Sequence, residues 1–174
     1  MSAAETIRRV SAEGDAFSIG VALGQAAAQD IRERVFITEE FQALKARWLG
    51  SDYLQHLEDA ARCAYPSYLR EIEGIAAGAG QSFETMFLWN CRGDLRLPDG
   101  VSPETLLRAA SGCTSVMVPA TAVAPAVIAH NEDGAAEFLG YCFWVDVTPD
   151  EGPEFQSFMY PGMLPGHTFG VNAA

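Results

Sequence analysis

The chain has 174 residues, 49% of them hydrophobic, which suffices for one sizeable core and excludes the charge-rich, apolar-poor make-up of a disordered chain. Its 11 basic and 23 acidic side chains give a formal charge of -12, which repels polyphosphate, so no nucleic-acid partner is expected. No apolar run reaches signal-peptide or membrane-spanning length, so the expectation is a cytoplasmic protein without a membrane partner.

From Phe17 to about Gly50 the sequence reads as helix, with Leu23, Ala27, Ile31 and Val35 recurring every fourth residue and a second stretch around Phe41, Leu44 and Trp48. A further helix is predicted to start near Ser51 and to carry Leu54, Leu57 and Ala61. Pro66 suits the first turn of the next, which runs through Leu69, Ile72 and Ile75 and ends at Gly78 and Gly80. Ser82 reads as the N-cap of a helix containing Phe83, Met86, Phe87 and Asn90, and 98–103 carries the turn residues of a loop. After Gly112 the texture changes. The runs 113–118 and 126–130 are short, apolar or β-branched and set apart by Pro119 and Pro125, and 141–147, 155–159 and 168–171 resemble them. Helices followed by strands favour an α+β fold, with 1–112 a helical N-terminal part and 113–174 the start of a β-rich part, together one domain.

Four cysteines, at 63, 91, 113 and 142, show no CxxC pairing and no disulfide scaffold, so most should be reduced thiols. Position separates Cys113 from the rest. It follows Gly112, whose lack of a Cβ leaves the preceding peptide carbonyl open, and it opens the strand region ahead of Thr114 and Ser115. Attack of the thiol on that carbonyl, followed by hydrolysis of the thioester, would leave Cys113 with a free α-amine of pKa roughly 7.7–8.0. Such an amine is matched to take the proton of a thiol that titrates near ~8.5, so nucleophile and base would share one residue.

The segments Glu71-Ile-Glu-Gly-Ile-Ala-Ala-Gly-Ala-Gly80, Leu88-Trp-Asn-Cys-Arg92, Ser111-Gly-Cys-Thr114 and Asn131-Glu-Asp133, with the earlier Ile19-Gly20 and Gly24, resemble successive signatures of the isopenicillin-N acyltransferase-like family of cysteine N-terminal-nucleophile hydrolases. The resemblance runs from about Phe17 to Asn172. It implies a four-layer αββα sandwich, self-cleavage between Gly112 and Cys113, and amide hydrolysis or acyl transfer through a thioester. The implied substrate is a small acyl amide or an acyl-CoA-type molecule, with no cofactor. By position, Asp133 matches the aspartate that supports the nucleophile, Asn131 opens its Asn-x-Asp motif, and Arg92 matches a supporting arginine. Thr114 follows the nucleophile in the motif. The family continues beyond a Phe-Gly-Val-Asn segment with further strands, closing helices, and an asparagine and an arginine near the nucleophile. A chain ending at Ala174 is therefore expected to lack the C-terminal half of the sandwich and to have incomplete activity alone. Exposed sheet edges then predict a homo-oligomer or pairing with a missing second half.

Blander readings stand beside these. Asn131 and Asp133 have the residue types of a turn ahead of Gly134, and Arg92 those of a solvated helix surface. On a strand, His130 falls on the face opposite Asn131 and reads as a core or edge histidine. His56 and His167 form no metal-ligand spacing with a cysteine, so no metal is expected. Gly74, Gly78 and Gly80 suit close helix packing and a helix end rather than a phosphate cradle. The aromatic residues Phe138, Tyr141, Phe143, Trp144, Phe155, Phe158 and Tyr160 suit a core more than an acyl pocket. Three functions follow: an N-terminal-cysteine amidohydrolase or acyltransferase, an inert binding or self-associating subunit of the same family, and a papain-like enzyme pairing Cys113 with His130 or His167. The last is disfavoured because that nucleophile opens a helix.

Overall fold

A computed structural model of the protein describes residues 7–95, 112–134 and 136–172. The expected loop at 98–103 and Ser111 lie outside the described residues. The chain divides into two compact units, one formed by 1–96 with 137–174 and a smaller one formed by 97–136. The change of texture at Gly112 therefore falls inside the smaller unit.

The larger unit begins with a strand, β1 (Arg8–Gly14), and continues through α1 (Ala16–Asp30), a π-helical turn (Ile31–Val35), α2 (Glu39–Trp48), α3 (Asp52–Ala64), α4 (Pro66–Ala79), α5 (Phe83–Asn90) and the single turn α6 (Arg92–Leu95). The smaller unit holds β2 (Thr114–Val118) and β3 (Val127–Asn131), an antiparallel pair. The chain then returns to the larger unit as β4 (Phe143–Pro149), β5 (Phe155–Met159) and β6 (Gly170–Asn172). The larger sheet has the order β1-β4-β5-β6, with β1 parallel to β4 and the other neighbours antiparallel.

Strand β1, which the sequence reading does not foresee, joins the helical N-terminal part. Its sequence, Arg-Arg-Val-Ser-Ala-Glu-Gly, has only Val10 and Ala12 as apolar members, too weak an alternation to signal a strand. The partner supplies what the sequence lacks: the register runs from Arg8↔Phe143 to Gly14↔Pro149. Arg8, itself partly exposed, reaches the buried carboxylate of Asp30 at 2.6 Å, and Arg9 pairs with Asp146 at 2.7 Å.

Helix boundaries follow local chemistry. The Asp15, Thr38, Ser51 and Ser82 side chains accept the backbone N–H of Ser18, Phe41, Leu54 and Thr85, capping α1, α2, α3 and α5. The Thr38 cap is where the predicted 17–50 stretch divides. Pro66 opens α4, and Gly80 closes it at φ 65, with the Gly80 and Gln81 amides donating back to Ala77 and Ala76 in the Schellman pattern. Helices α1 and α4 touch backbone to backbone. A Cβ on Gly20, Gly24, Gly74 or Gly78 would overlap a carbonyl oxygen of the facing helix: that of Glu71, Ile75, Phe17 or Val21 respectively. The glycine stripe thus serves helix contact.

Strand β4 alternates as a sheet covered on one face should, with Phe143, Val145 and Val147 buried and Trp144 and Asp146 half-buried. The buried face joins Leu23, Ile31, Phe41, Ile75, Met86 and Trp89 in one core. On the other face Trp144 and Phe158 gather around Phe169, ring centroids 5.7 and 6.0 Å away. Among the predicted aromatic positions Phe138, Phe143 and Tyr160 are core residues. Among the described residues no helix is long and apolar enough to cross a membrane.

Candidate active site

Cys113 lies immediately before β2, and the register of the hairpin decides which side chains it meets. Thr114 pairs with Asn131 and Ser115 with His130. Because side chains alternate along a strand, Cys113 and Ser115 share one face with His130 and Glu132, while Thr114 and Asn131 occupy the other. The contacts follow that parity. The Cys113 thiol donates to Glu132 Oε2 at 3.1 Å, and the same oxygen lies 3.1 Å from His130 Nε2. On the other side of the ring, His130 Nδ1 meets Ser115 Oγ at 2.9 Å.

Two predicted residues approach Cys113 by a different route. The Asp133 backbone N–H donates to the Cys113 sulfur at 3.4 Å, and the Asp133 carboxylate accepts from Asn131 Nδ2 at 2.8 Å. The Asn-x-Asp motif therefore braces itself through its ends and touches the thiol through the last backbone amide. The two contacts on sulfur oppose each other. The Glu132 carboxylate, accepting the thiol proton, raises the Cys113 pKa above its ordinary value, and the Asp133 amide, which favours the thiolate, offsets part of that rise.

Gly112 is exposed, and an added Cβ there would meet nothing within 4 Å, so the carbonyl before Cys113 is sterically open. Thr114 is exposed on β2. Arg92 belongs to the larger unit, where its guanidinium lies over the Trp89 ring at 4.6 Å and contacts Met163. Its motif neighbours pin the same loop: the Trp89 indole donates to the Pro161 carbonyl at 3.1 Å, and Asn90 bonds the Gly162 carbonyl and the Leu164 amide, both at 2.9 Å. The other cysteines are free thiols as well, with Cys63 exposed and Cys91 pushed up to about 12 by burial, aided by Asp94.

Sequence reasoning did not single out Glu132, and it set His130 apart from the cysteine. His130 does lie on the face opposite Asn131. What sequence lacks is the strand register, which puts Cys113 on the face of His130 rather than that of Asn131. A loop of eight residues between β2 and β3 permits several registers, so no local signal fixes this one.

The larger unit has a cleft of about 960 Å³, lined among others by Ile19, Tyr68, Glu71, Phe155 and His167. One oxygen of the Glu71 carboxyl is buried without a hydrogen-bond partner, and burial pushes its pKa up to about 7.

No protein-family model matches the chain. Over 143 residues it is 29% identical to the β-alanyl-dopamine/carcinine hydrolase of Drosophila melanogaster, a match that covers 76% of this chain and 35% of that protein. The chain is therefore similar to a hydrolase and spans about a third of the length of that curated relative.

Proposed function

We propose that the protein is a self-processing cysteine amidohydrolase of the N-terminal-nucleophile class, with Cys113 as nucleophile and an αββα sandwich as its fold. The observation that carries the reading is the Cys113 thiol itself, set directly after an unhindered glycine and hydrogen-bonded to both a carboxylate and a backbone amide. The similarity to a hydrolase supports the reaction class, and by the name of that relative the substrate proposed is a β-alanyl or comparable small acyl amide.

In processing, Glu132 takes the thiol proton and the sulfur bonds to the Gly112 carbonyl carbon. Collapse of the tetrahedral adduct breaks the bond from that carbon to the Cys113 nitrogen, which takes up a proton as it leaves. Water then hydrolyses the thioester, giving the Gly112 carboxylate and a Cys113 with both thiol and α-amine. The amine serves as the base in later turnovers. Asp133 and Asn131 hold the loop whose amide touches the sulfur, Thr114 sets the strand that follows, and Arg92 supports the Trp89 loop in the larger unit.

A second reading, an inert subunit that needs a partner to complete its sheet, is favoured by one observation: the hairpin leaves Met117 76% and Ile128 66% exposed. The denatured intact mass of the native protein beside Cys113→Ala separates the two. Two fragments meeting at Gly112 and Cys113, absent in the variant, are expected, together with hydrolysis of a β-alanyl amide that the variant lacks. A single chain in both samples would favour the inert subunit.

A further inference from the structure

We infer that Cys113, His130 and Glu132 form a binding site for one thiophilic divalent cation of the zinc class, in competition with the use of Cys113 as a nucleophile. The three residues offer a thiolate sulfur, an imidazole nitrogen and a carboxylate oxygen within 4.8 Å of one another. That is a donor set of the kind borderline-soft ions take in three-ligand sites with an open fourth position. The spacing fits. Bonds of about 2.3 Å to sulfur and about 2.0–2.1 Å to nitrogen or oxygen put tetrahedral ligands roughly 3.3–3.6 Å apart. Glu132 Oε2 lies 3.1 Å from both the sulfur and His130 Nε2, and all three donor atoms lie within 4.8 Å of one another, so side-chain adjustment on the hairpin brings the set to that spacing.

A second observation points the same way. A metal-binding histidine is usually oriented by a hydrogen bond from its other ring nitrogen, and His130 Nδ1 has Ser115 Oγ at 2.9 Å. With the Nδ1 proton donated to Ser115, the Nε2 lone pair faces the sulfur and the carboxylate. Binding replaces the thiol hydrogen bond to Glu132 Oε2 with metal bonds, and the thiol proton is released to solvent. Asp133, next in the chain, adds negative charge beside the cation. The donors come from residues 113 and 130–132, too far apart in sequence to show a ligand spacing, and only the hairpin register brings them together.

Binding rests on this geometry alone, whereas the competition with chemistry rests on the nucleophile reading. Cobalt(II) titration of the full chain separates the two, because a thiolate-to-cobalt charge-transfer band reports sulfur ligation whether or not the chain cleaves. One equivalent should bind, zinc should displace it, and Cys113→Ser should lose the band. His130→Ala and Glu132→Gln should weaken binding about tenfold or more, and Ser115→Ala about tenfold through the ring orientation. A Cys63→Ser variant should bind like the wild type. Absence of the band, or a band unchanged in both His130→Ala and Glu132→Gln, overturns the site. Mass analysis of the same samples should show zinc arresting cleavage at Gly112 and a chelator restoring it. Cleavage that proceeds unchanged with zinc bound overturns the competition. A chain that cleaves under no condition defeats the nucleophile reading while the band still decides the site.

Discussion

In the larger unit Trp89, Phe41 and Phe143 are almost wholly removed from water, whereas in the β2–β3 hairpin Met117, Ile128 and Val123 keep most of their surface exposed. The larger unit fixes its backbone by contacts that leave little room for change, namely glycine against carbonyl between α1 and α4 and alternating burial along β4. The hairpin fixes only its own register, yet that register alone assembles the thiol, imidazole and carboxylate. Stability and the proposed chemistry thus lie in different parts of the chain. Substitutions in the two should be separable, a large loss of stability in one and a loss of reactivity without unfolding in the other.

The largest expected effect is at Trp89. Trp89→Ala removes a fully buried indole and leaves the Pro161 carbonyl without its donor, so urea unfolding should show a loss of about 3–5 kcal/mol. Glu71 follows. Its carboxyl ionises near 4.5 when unfolded and near 7 when folded, so the native state holds the extra proton across that window. Stability is then full below pH 4.5 and declines as pH rises towards about 7, by about 3 kcal/mol at most. Glu71→Gln should remove this slope, seen as a smaller difference between unfolding at pH 5 and pH 8 than in the wild type. An equal difference in both proteins would mean that Glu71 is solvated. Gly74→Ala, which sets a methyl against the Phe17 carbonyl, should cost about 1–3 kcal/mol as the α1–α4 contact opens.

Those three positions differ in how far the sequence announces them. The Ser82 cap, the Pro66 start and the Gly80 stop are local rules, and the helices obey them. Close helix contact at Gly74 and Gly78 follows from residue type. Strand β1 is invisible for the opposite reason, since Arg8 and Arg9 belong to it only because β4 runs alongside and Asp30 and Asp146 receive their charges. At the candidate site, Cys113 stands out by its place after Gly112, whereas Asn131 and Asp133 stand out only through the resemblance to a family motif. Glu132 and the role of His130 do not stand out, because both depend on register, a non-local quantity. Glu71 stands in a recognisable segment, but the burial of one unpartnered carboxyl oxygen is a property of the packed cleft.

The smallest expected effect is the sharpest test of the contrast. Ile128 pairs with Met117 across the hairpin, and both side chains are mainly in water. Ile128→Ser therefore removes little buried apolar surface and should change the unfolding free energy by no more than about 0.5 kcal/mol. The wild-type midpoint is measured at two protein concentrations tenfold apart. A loss of about 1 kcal/mol or more in Ile128→Ser, joined to a midpoint that rises with concentration in the wild type only, would show that the apolar hairpin is covered in solution by a second copy. The same strands that hold the thiol would then also hold the assembly together, and reactivity of Cys113 would depend on protein concentration.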